Sequence, residues 1–208
     1  MIGRPVLVTG FGPFPHVRVN PTAELARQVA RRLNRAGIAA EPLVLETSYA
    51  GGLPALRARL AAAEPRAVLM LGLAARSRAI RVELFGRGRS SRLHADAQGA
   101  GPASSTHSGA GPWRTSASAG MALSRFRRAG LRSRYSPSAG RYLCDAGYAL
   151  ALRATGPRVP VLFIHIPWLR PAPGTRRARA VAGFRPRAHD LAAALTDLAR
   201  HLAVAGPR

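Results

Sequence analysis

The chain has 208 residues, of which 47% are hydrophobic, enough for one compact domain and too many for a disordered chain. It carries 32 basic residues, all of them arginine, against 9 acidic ones, for a net charge of +23. No apolar run approaches the roughly 20 residues that span a bilayer, so the sequence predicts no membrane association. A single cysteine excludes an internal disulfide, and the N-terminal residues lack a signal-peptide pattern, which together predict a cytoplasmic protein.

The positive charge has two explanations. A nucleic-acid partner would require arginines concentrated on one surface, with aromatic side chains between them for base stacking. Here the arginines are scattered from Arg4 to Arg208, with only short clusters such as Arg31-Arg32. A genome-wide bias toward Arg, Ala, Gly and Pro codons gives the same composition. The sequence therefore does not favour a nucleic-acid partner, and an arginine-driven nucleic-acid binder is kept as an alternative.

Strand and helix patterns alternate along the first part of the chain. An apolar run that ends at Gly10 is typical of a buried parallel strand. Asn20-Pro21 is typical of a helix start, and Leu25, Val29 and Leu33 then recur on one helical face. The predicted elements are a strand at 6–9, a helix from Asn20 to Gly37, a strand at 43–45, a helix at 51–63, a strand at 67–71 and an extended segment at 80–85.

The remaining part of the chain contains one long segment without periodicity. Residues 86–115 are rich in Gly, Ser, Ala and Arg, which predicts a long loop or lid. The other predicted elements are helices at 117–129, 142–154 and 188–204 and a strand at 159–166. Strands separated by helices predict an α/β fold, a three-layer α/β/α architecture with a mostly parallel twisted sheet and helices on both faces. We expect residues 1–208 to form a single domain.

Cys144 is the only cysteine, and it ends the stretch S-A-G-R-Y-L-C at residues 138–144. A glycine turn leads into the predicted helix here, so the thiol lies at the positive end of a helix dipole. This environment is predicted to lower the thiol pKa, and its free N–H groups could stabilise an oxyanion. A lone cysteine is, however, more often an inert buried side chain than a nucleophile.

Two further titratable side chains could serve as a base and its orienting carboxylate. His165 lies near the end of the most β-rich run, at the edge of a parallel sheet where ligands bind, and could take the thiol proton. A structural histidine bonded to a loop carbonyl fits that position equally well. Glu83 lies in an apolar segment and needs a partner if it is buried. It could orient the imidazole, or it could pair with a nearby arginine.

The stretch G-F-G-P-F at residues 10–14 follows the first predicted strand. Its Phe and Pro residues exclude the close backbone approach of a dinucleotide fingerprint. Phe11 and Phe14 could instead hold a small flat group, or they could pack into the core. The histidines are dispersed and the cysteine has no second thiol, so no metal and no cofactor is expected. The G-x-S-x-G elbow of serine hydrolases is absent.

Four of these segments follow the order known from one enzyme family. They are G-F-G-P-F with Asn20-Pro21 after it, I-R-V-E at 80–83 after L-G-L-A at 71–74, S-A-G-R-Y-L-C at 138–144, and F-I-H-I-P at 163–167. The chain resembles pyroglutamyl-peptidase I, the pyrrolidone-carboxylate cysteine peptidase family. The resemblance runs from about Val6 to the final helix and is weakest between residues 86 and 129.

The resemblance implies a cysteine-type omega peptidase that removes an N-terminal pyroglutamyl residue from a peptide through an acyl-enzyme. It implies three catalytic residues, Cys144 as nucleophile, His165 as base and then acid, and Glu83 as the carboxylate that holds His165. It also implies a homo-oligomer, a dimer or a tetramer.

The resemblance further implies how substrate is bound. Phe11 and Phe14 would sandwich the pyrrolidone ring, and Tyr142 and Leu143 would also contact it. Arg92 corresponds to a family arginine near the oxyanion, with Arg89 as the alternative because the local alignment slips by one residue.

Several neighbours of these residues depart from the family pattern. Leu84 replaces an arginine that usually follows the glutamate, and Asp145 replaces an asparagine after the cysteine. Gly88 replaces an asparagine and Leu73 a pocket glutamine. A carboxylate beside a thiolate opposes a lowered thiol pKa. The alternative is therefore a diverged member that binds or hydrolyses another small amide, or that is catalytically weak.

Overall fold

A computed structural model describes residues 3–104, 111–172 and 182–207, and these residues form eight strands and five helices. The strands are β1 Val6–Phe11, β2 Ala40–Leu45, β3 Ala67–Leu73, β4 Ile80–Glu83, β5 Phe85–Gly86, β6 Trp113–Arg114, β7 Ser133–Ser136 and β8 Val161–Ile166. The helices are α1 Pro21–Arg35, α2 Gly52–Ala63, α3 Ala119–Arg128, α4 Leu143–Thr155 and α5 Ala188–Ala205. Among these described helices, none has the length and apolar character needed to cross a membrane.

Six of the strands form one sheet in the order β2-β1-β3-β8-β4-β7, and β5 and β6 form a separate antiparallel pair. Strands β1, β2, β3 and β8 are parallel to one another. Strand β4 runs antiparallel to β8 and parallel to β7, so the last two strands are reversed. The predicted mostly parallel sheet is confirmed, whereas the reversed edge was not predicted.

Helices cover both faces of the sheet, as the central strand β8 illustrates. Every residue of β8 is buried, and its side chains alternate between two apolar clusters because successive side chains of a strand point to opposite faces. Leu162 and Ile164 pack with α1, α3 and α5, while Val161 and Phe163 pack with α2 and α4. The α/β fold, with helices on both faces of the sheet, is confirmed.

Local capping explains where two helices begin. Helix α1 begins after Asn20, whose side chain accepts a hydrogen bond from the Thr22 N–H at 3.2 Å. Helix α3 begins after Ser118, whose hydroxyl accepts from the Met121 N–H, so it is shorter than the predicted 117–129. A side-chain oxygen at the N-cap satisfies a backbone donor that has no partner within the helix.

Strand β7 was missed because the sequence S-R-Y-S has no apolar run. It lies at the edge of the sheet, where a polar, charged sequence is tolerated and discourages pairing with other chains.

The segment 86–115, predicted as a loop or lid, is bounded by the β5–β6 pair, and its residues 105–110 lie outside the described residues. Hydrogen bonds attach its described part to the rest of the structure. The Tyr142 hydroxyl donates to the Ala95 carbonyl at 3.0 Å, and the Ala97 N–H donates to the Thr47 carbonyl at 2.8 Å. A lid function for this segment stays a prediction.

Asp96 anchors this segment through a buried carboxylate that is 1% exposed. It accepts hydrogen bonds from the N–H groups of Tyr49 at 2.9 Å, Gln98 at 2.9 Å and Ala100 at 3.0 Å. Burial raises the pKa of Asp96, but these three hydrogen bonds outweigh that effect and hold the pKa below its ordinary value. The ionised carboxylate therefore stabilises the folded segment.

We expect Asp96→Ala to lower the free energy of unfolding at neutral pH by about 2 kcal/mol or more, because buried N–H groups lose their acceptor. The folded-state pKa is depressed, so the stabilisation is complete above the unfolded-state pKa of about 3.9 and is lost as pH falls through the lower folded-state pKa. The difference between the two proteins should therefore narrow on acidification. Urea unfolding between about pH 7 and pH 3 measures it, and a constant difference would contradict the prediction.

Candidate active site

The reversed direction of β4 places three polar side chains on one face of the sheet. Arg81 lies opposite His165 in the β4–β8 register, and Glu83 lies two residues further along β4. Side chains two residues apart on a strand share a face, and long side chains reach the diagonal neighbour on the next strand. His165 Nδ1 lies 2.8 Å from Glu83 Oε1, and Arg81 Nε lies 3.0 Å from the same oxygen.

This group is withdrawn from solvent, since Glu83 is 0% and His165 5% exposed. An arginine stays protonated in proteins, so the Arg81 guanidinium compensates the charge of a buried carboxylate. A carboxylate only accepts hydrogen bonds, so His165 donates from Nδ1 and keeps a lone pair on Nε2 for another proton. The two alternatives for Glu83, orienting an imidazole and pairing with an arginine, therefore occur together.

Neighbouring residues fix the position of the imidazole. Gly72 pairs with His165 in the β3–β8 register, and a Cβ at Gly72 would lie 2.8 Å from His165 Cδ2. The missing side chain makes room for the ring. The Phe163 ring packs against the imidazole, with 4.8 Å between the ring centroids.

Cys144 is the second residue of α4 and is partly buried. The chain reaches it through residues 137–142, which we call the nucleophile loop and which contains Gly140 with a φ of 98°. This positive φ suits a residue without a Cβ. The predicted helix entrance at Cys144 is present.

A cavity of about 230 Å³ opens at the carboxyl ends of β1 and β3, where ligands bind in parallel sheets. Its lining includes six of the predicted site residues: Phe11, Phe14, Tyr142, Leu143, Cys144 and His165. Glu83 does not line the cavity and lies behind His165. Among the residues that the structure describes, no group of three or more His, Cys, Asp or Glu side chains could hold a metal ion.

The thiol of Cys144 differs from the sequence-based expectation. Burial raises its pKa to about 12, the charges of Glu83 and Asp145 act in the same direction, and Arg81 acts against them. The predicted lowering of the thiol pKa is therefore wrong, because burial and two carboxylates raise it. The thiol is accordingly protonated at neutral pH.

Asp145 has a structural role beside the thiol. Its carboxylate is 0% exposed and accepts hydrogen bonds from the N–H groups of Arg87 at 3.0 Å and Arg89 at 2.7 Å. Burial raises the pKa of Asp145, and these two bonds oppose the shift. The carboxylate thus ties the segment after β4 to the start of α4.

The structure does not bring the predicted Arg92 into the cavity, and its alternative Arg89 also lies outside it; both side chains are exposed. Two arginines that the sequence analysis did not single out, Arg81 and Arg141, line the cavity instead. A usable signal existed for Arg81, because a residue two positions from Glu83 on a strand shares its face. Residues 86–115 offered no periodicity from which side-chain directions could be predicted.

Residues 4–177 match the family model described as pyroglutamyl peptidase. A pyrrolidone-carboxylate peptidase of Gloeobacter violaceus is 31% identical over 169 residues, which cover 79% of this chain and 82% of that protein. One of Streptomyces coelicolor is 32% identical over 168 residues, which cover 78% of this chain and 77% of that protein. The crystal structure of the pyrrolidone carboxyl peptidase from Thermus thermophilus has a TM-score of 0.79 at 27% identity, covering 97% of this chain and 100% of that one. The chain therefore belongs to the pyroglutamyl peptidase family, and its predicted class, a peptidase enzyme, is confirmed.

Proposed function

We propose that this protein removes the N-terminal pyroglutamyl residue from peptides, with Cys144 as nucleophile, His165 as general base and acid, and Glu83 as the carboxylate that orients His165. One observation carries the proposal. The buried Glu83–His165 pair, 2.8 Å apart, adjoins a cavity that Cys144 also lines, and all three occupy positions of the family pattern.

In the first half of the reaction, the Cys144 Sγ attacks the carbonyl carbon that follows the lactam ring while the thiol proton passes to His165 Nε2. Proton transfer and attack occur together because the thiol is protonated in the free protein. The oxyanion is stabilised by backbone N–H groups at the start of α4. The C–N bond then breaks, His165 returns the proton to the leaving amine, and a pyroglutamyl thioester remains.

In the second half, His165 takes a proton from a water molecule that attacks the thioester carbonyl. The C–S bond breaks, the proton returns to the Cys144 sulfur, and pyroglutamate leaves. Glu83 keeps its bond to Nδ1 throughout and stabilises the imidazolium form of His165.

The lining of the cavity supports an uncharged cyclic substrate. Phe11 and Phe14 both line the cavity, together with Leu73 and Ala74. Apolar walls suit a lactam ring, which is flat and carries no charge. Arg92 stays a predicted substrate contact without support from this cavity.

A second candidate is a diverged enzyme that acts on another small amide. Arg81 and Arg141 line the cavity, and Leu73 stands where the family pattern has a glutamine. Guanidinium groups at a cavity favour a substrate that also carries an anionic group. Turnover of an acidic N-acyl amide in preference to a pyroglutamyl amide would support this candidate.

Cys144→Ala should abolish hydrolysis of a fluorogenic pyroglutamyl amide, because no other thiol can form the acyl-enzyme.

Glu83→Gln should retain the fold and lower kcat by about a hundredfold or more, because an amide no longer fixes the imidazole tautomer. Steady-state kinetics with purified protein measure both variants, with Tyr135→Phe, an exposed side chain outside the cavity, as the unchanged control. A wild-type protein without activity on several pyroglutamyl amides would contradict the proposal.

Asp145→Asn should shift the pH dependence of Cys144 alkylation by iodoacetamide toward lower pH. The substitution removes one of the two negative charges that raise the thiol pKa, so the thiolate forms at lower pH. An asparagine has one acceptor oxygen, so one of the N–H groups of Arg87 and Arg89 loses its partner and stability falls by about 1–3 kcal/mol. An unchanged or raised alkylation profile in a folded variant would contradict this prediction.

A further inference from the structure

Arg81 connects the two strands of the site with the nucleophile loop. Its Nε lies 3.0 Å from Glu83 Oε1, and its Nη2 donates to the Ser136 hydroxyl at 2.7 Å and to the Ser138 carbonyl at 2.6 Å. The side chain is 23% exposed and also lines the cavity. One planar guanidinium therefore contacts the carboxylate, the end of β7 and the loop that leads to Cys144.

Arg81 also contributes a cation to this site. The ionisable groups around Cys144 are Glu83, Asp145, Arg81, Arg141, His165, Tyr49 and Tyr142, and of the two arginines Arg81 is the one in contact with Glu83. Two of these groups are carboxylates, and Arg81 acts against both through its charge. Without the Arg81 guanidinium, both carboxylates would oppose proton loss from the thiol, and no arginine would contact the Glu83 carboxylate to offset its charge.

The position of Arg81 along β4 explains how its guanidinium reaches the Glu83 carboxylate. Side chains of a strand alternate between faces, so position 81 shares the face of Glu83 and His165, whereas position 84 follows the end of β4. A cation two residues before the glutamate thus reaches the carboxylate directly.

We propose that Arg81 is a positioning residue of this active site, which holds the Glu83 carboxylate and the nucleophile loop in one arrangement and supplies a cation beside Glu83. The inference rests on the proposed function for its kinetic consequence only. It predicts that both the charge and the forked geometry of the guanidinium are required, the charge for thiol ionisation and the geometry for turnover.

The test compares Arg81→Ala and Arg81→Lys with the wild-type protein. For Arg81→Ala, kcat on a pyroglutamyl amide should fall roughly a hundredfold with little change in KM, because the reacting groups are misplaced while the apolar walls formed by Phe11, Phe14 and Leu73 remain. The pH profile of Cys144 alkylation should shift to higher pH. Arg81→Lys retains the charge, so its alkylation profile should stay near that of the wild type while kcat is restored only in part.

Arg87→Ala is the matched control. The Arg87 guanidinium also bonds the nucleophile loop, with Nη2 donating to the Pro137 carbonyl at 3.2 Å, but its side chain makes no bond to Glu83. We expect wild-type kcat and an unchanged alkylation profile for this variant. A loss equal to that of Arg81→Ala would show that any arginine on the loop has the same effect and would overturn the proposal.

Folded Arg81→Ala, verified by circular dichroism and thermal unfolding, with wild-type kcat and alkylation profile would also overturn it. If Arg81→Ala does not fold, Arg81→Lys tests the proposal instead. A wild-type kcat in Arg81→Lys would show that the forked guanidinium is not required and would overturn the proposal. Alkylation requires no turnover, so the two proposals fail separately. A wild-type protein that cleaves no pyroglutamyl amide contradicts the function, while a shifted alkylation profile in Arg81→Ala still supports the role of Arg81.

Discussion

The site depends on one buried carboxylate oxygen, Glu83 Oε1, which is shared by His165 and Arg81. Removing a carboxylate from water costs several kcal/mol unless charged or hydrogen-bonding partners offset the loss. Both partners lie on the same face of two adjacent strands, since Arg81 is opposite His165 in the β4–β8 register. An antiparallel β4 brings Arg81 opposite His165 and Glu83 to the diagonal position. The pairing of β4 with β8 therefore brings an imidazole near the end of β8 to a carboxylate within the sheet.

The Glu83 carboxylate also disfavours ionisation of the Cys144 thiol. Burial and the charge of Glu83 raise the pKa of Cys144, and Asp145 adds to the effect. A preformed thiolate–imidazolium pair is therefore disfavoured, and in the proposed mechanism a base removes the proton as attack proceeds. The proposed base, His165, is held in place because Gly72 leaves room for the imidazole and Glu83 lies within hydrogen-bond distance of its Nδ1. Under this proposal, the thiol ionises only when substrate is bound.

Much of this architecture could be predicted from the sequence, and the exceptions have physical reasons. Strands that are buried on both faces of a sheet have continuous apolar sequences, so β1, β3 and β8 could be predicted. Strand β7 is polar because it lies at an edge, and nothing local to the sequence specifies that β4 is reversed. The sequence gives the order of the motifs along the chain but not their distances in space. Two partners for Glu83, a histidine and an arginine, therefore stayed open at the level of the sequence. Arg81 was within reach of strand periodicity, whereas the directions of Arg89 and Arg92 depend on how residues 86–104 fold back onto α4, which is determined by contacts distant in sequence.

The residues that depart from the family pattern are coupled through charge and through backbone hydrogen bonds. Leu84 carries no charge, whereas Asp145 places an anion next to Cys144 that raises the thiol pKa. Asp145 cannot simply be regarded as a defect, because its carboxylate satisfies two backbone donors of the segment after β4. A neutral asparagine at this position would ease thiol ionisation but would leave one bond unmade, since Arg87 and Arg89 donate to different carboxylate oxygens. The local backbone therefore favours the carboxylate that the chemistry opposes, and the Arg81 guanidinium acts against the resulting rise in the thiol pKa.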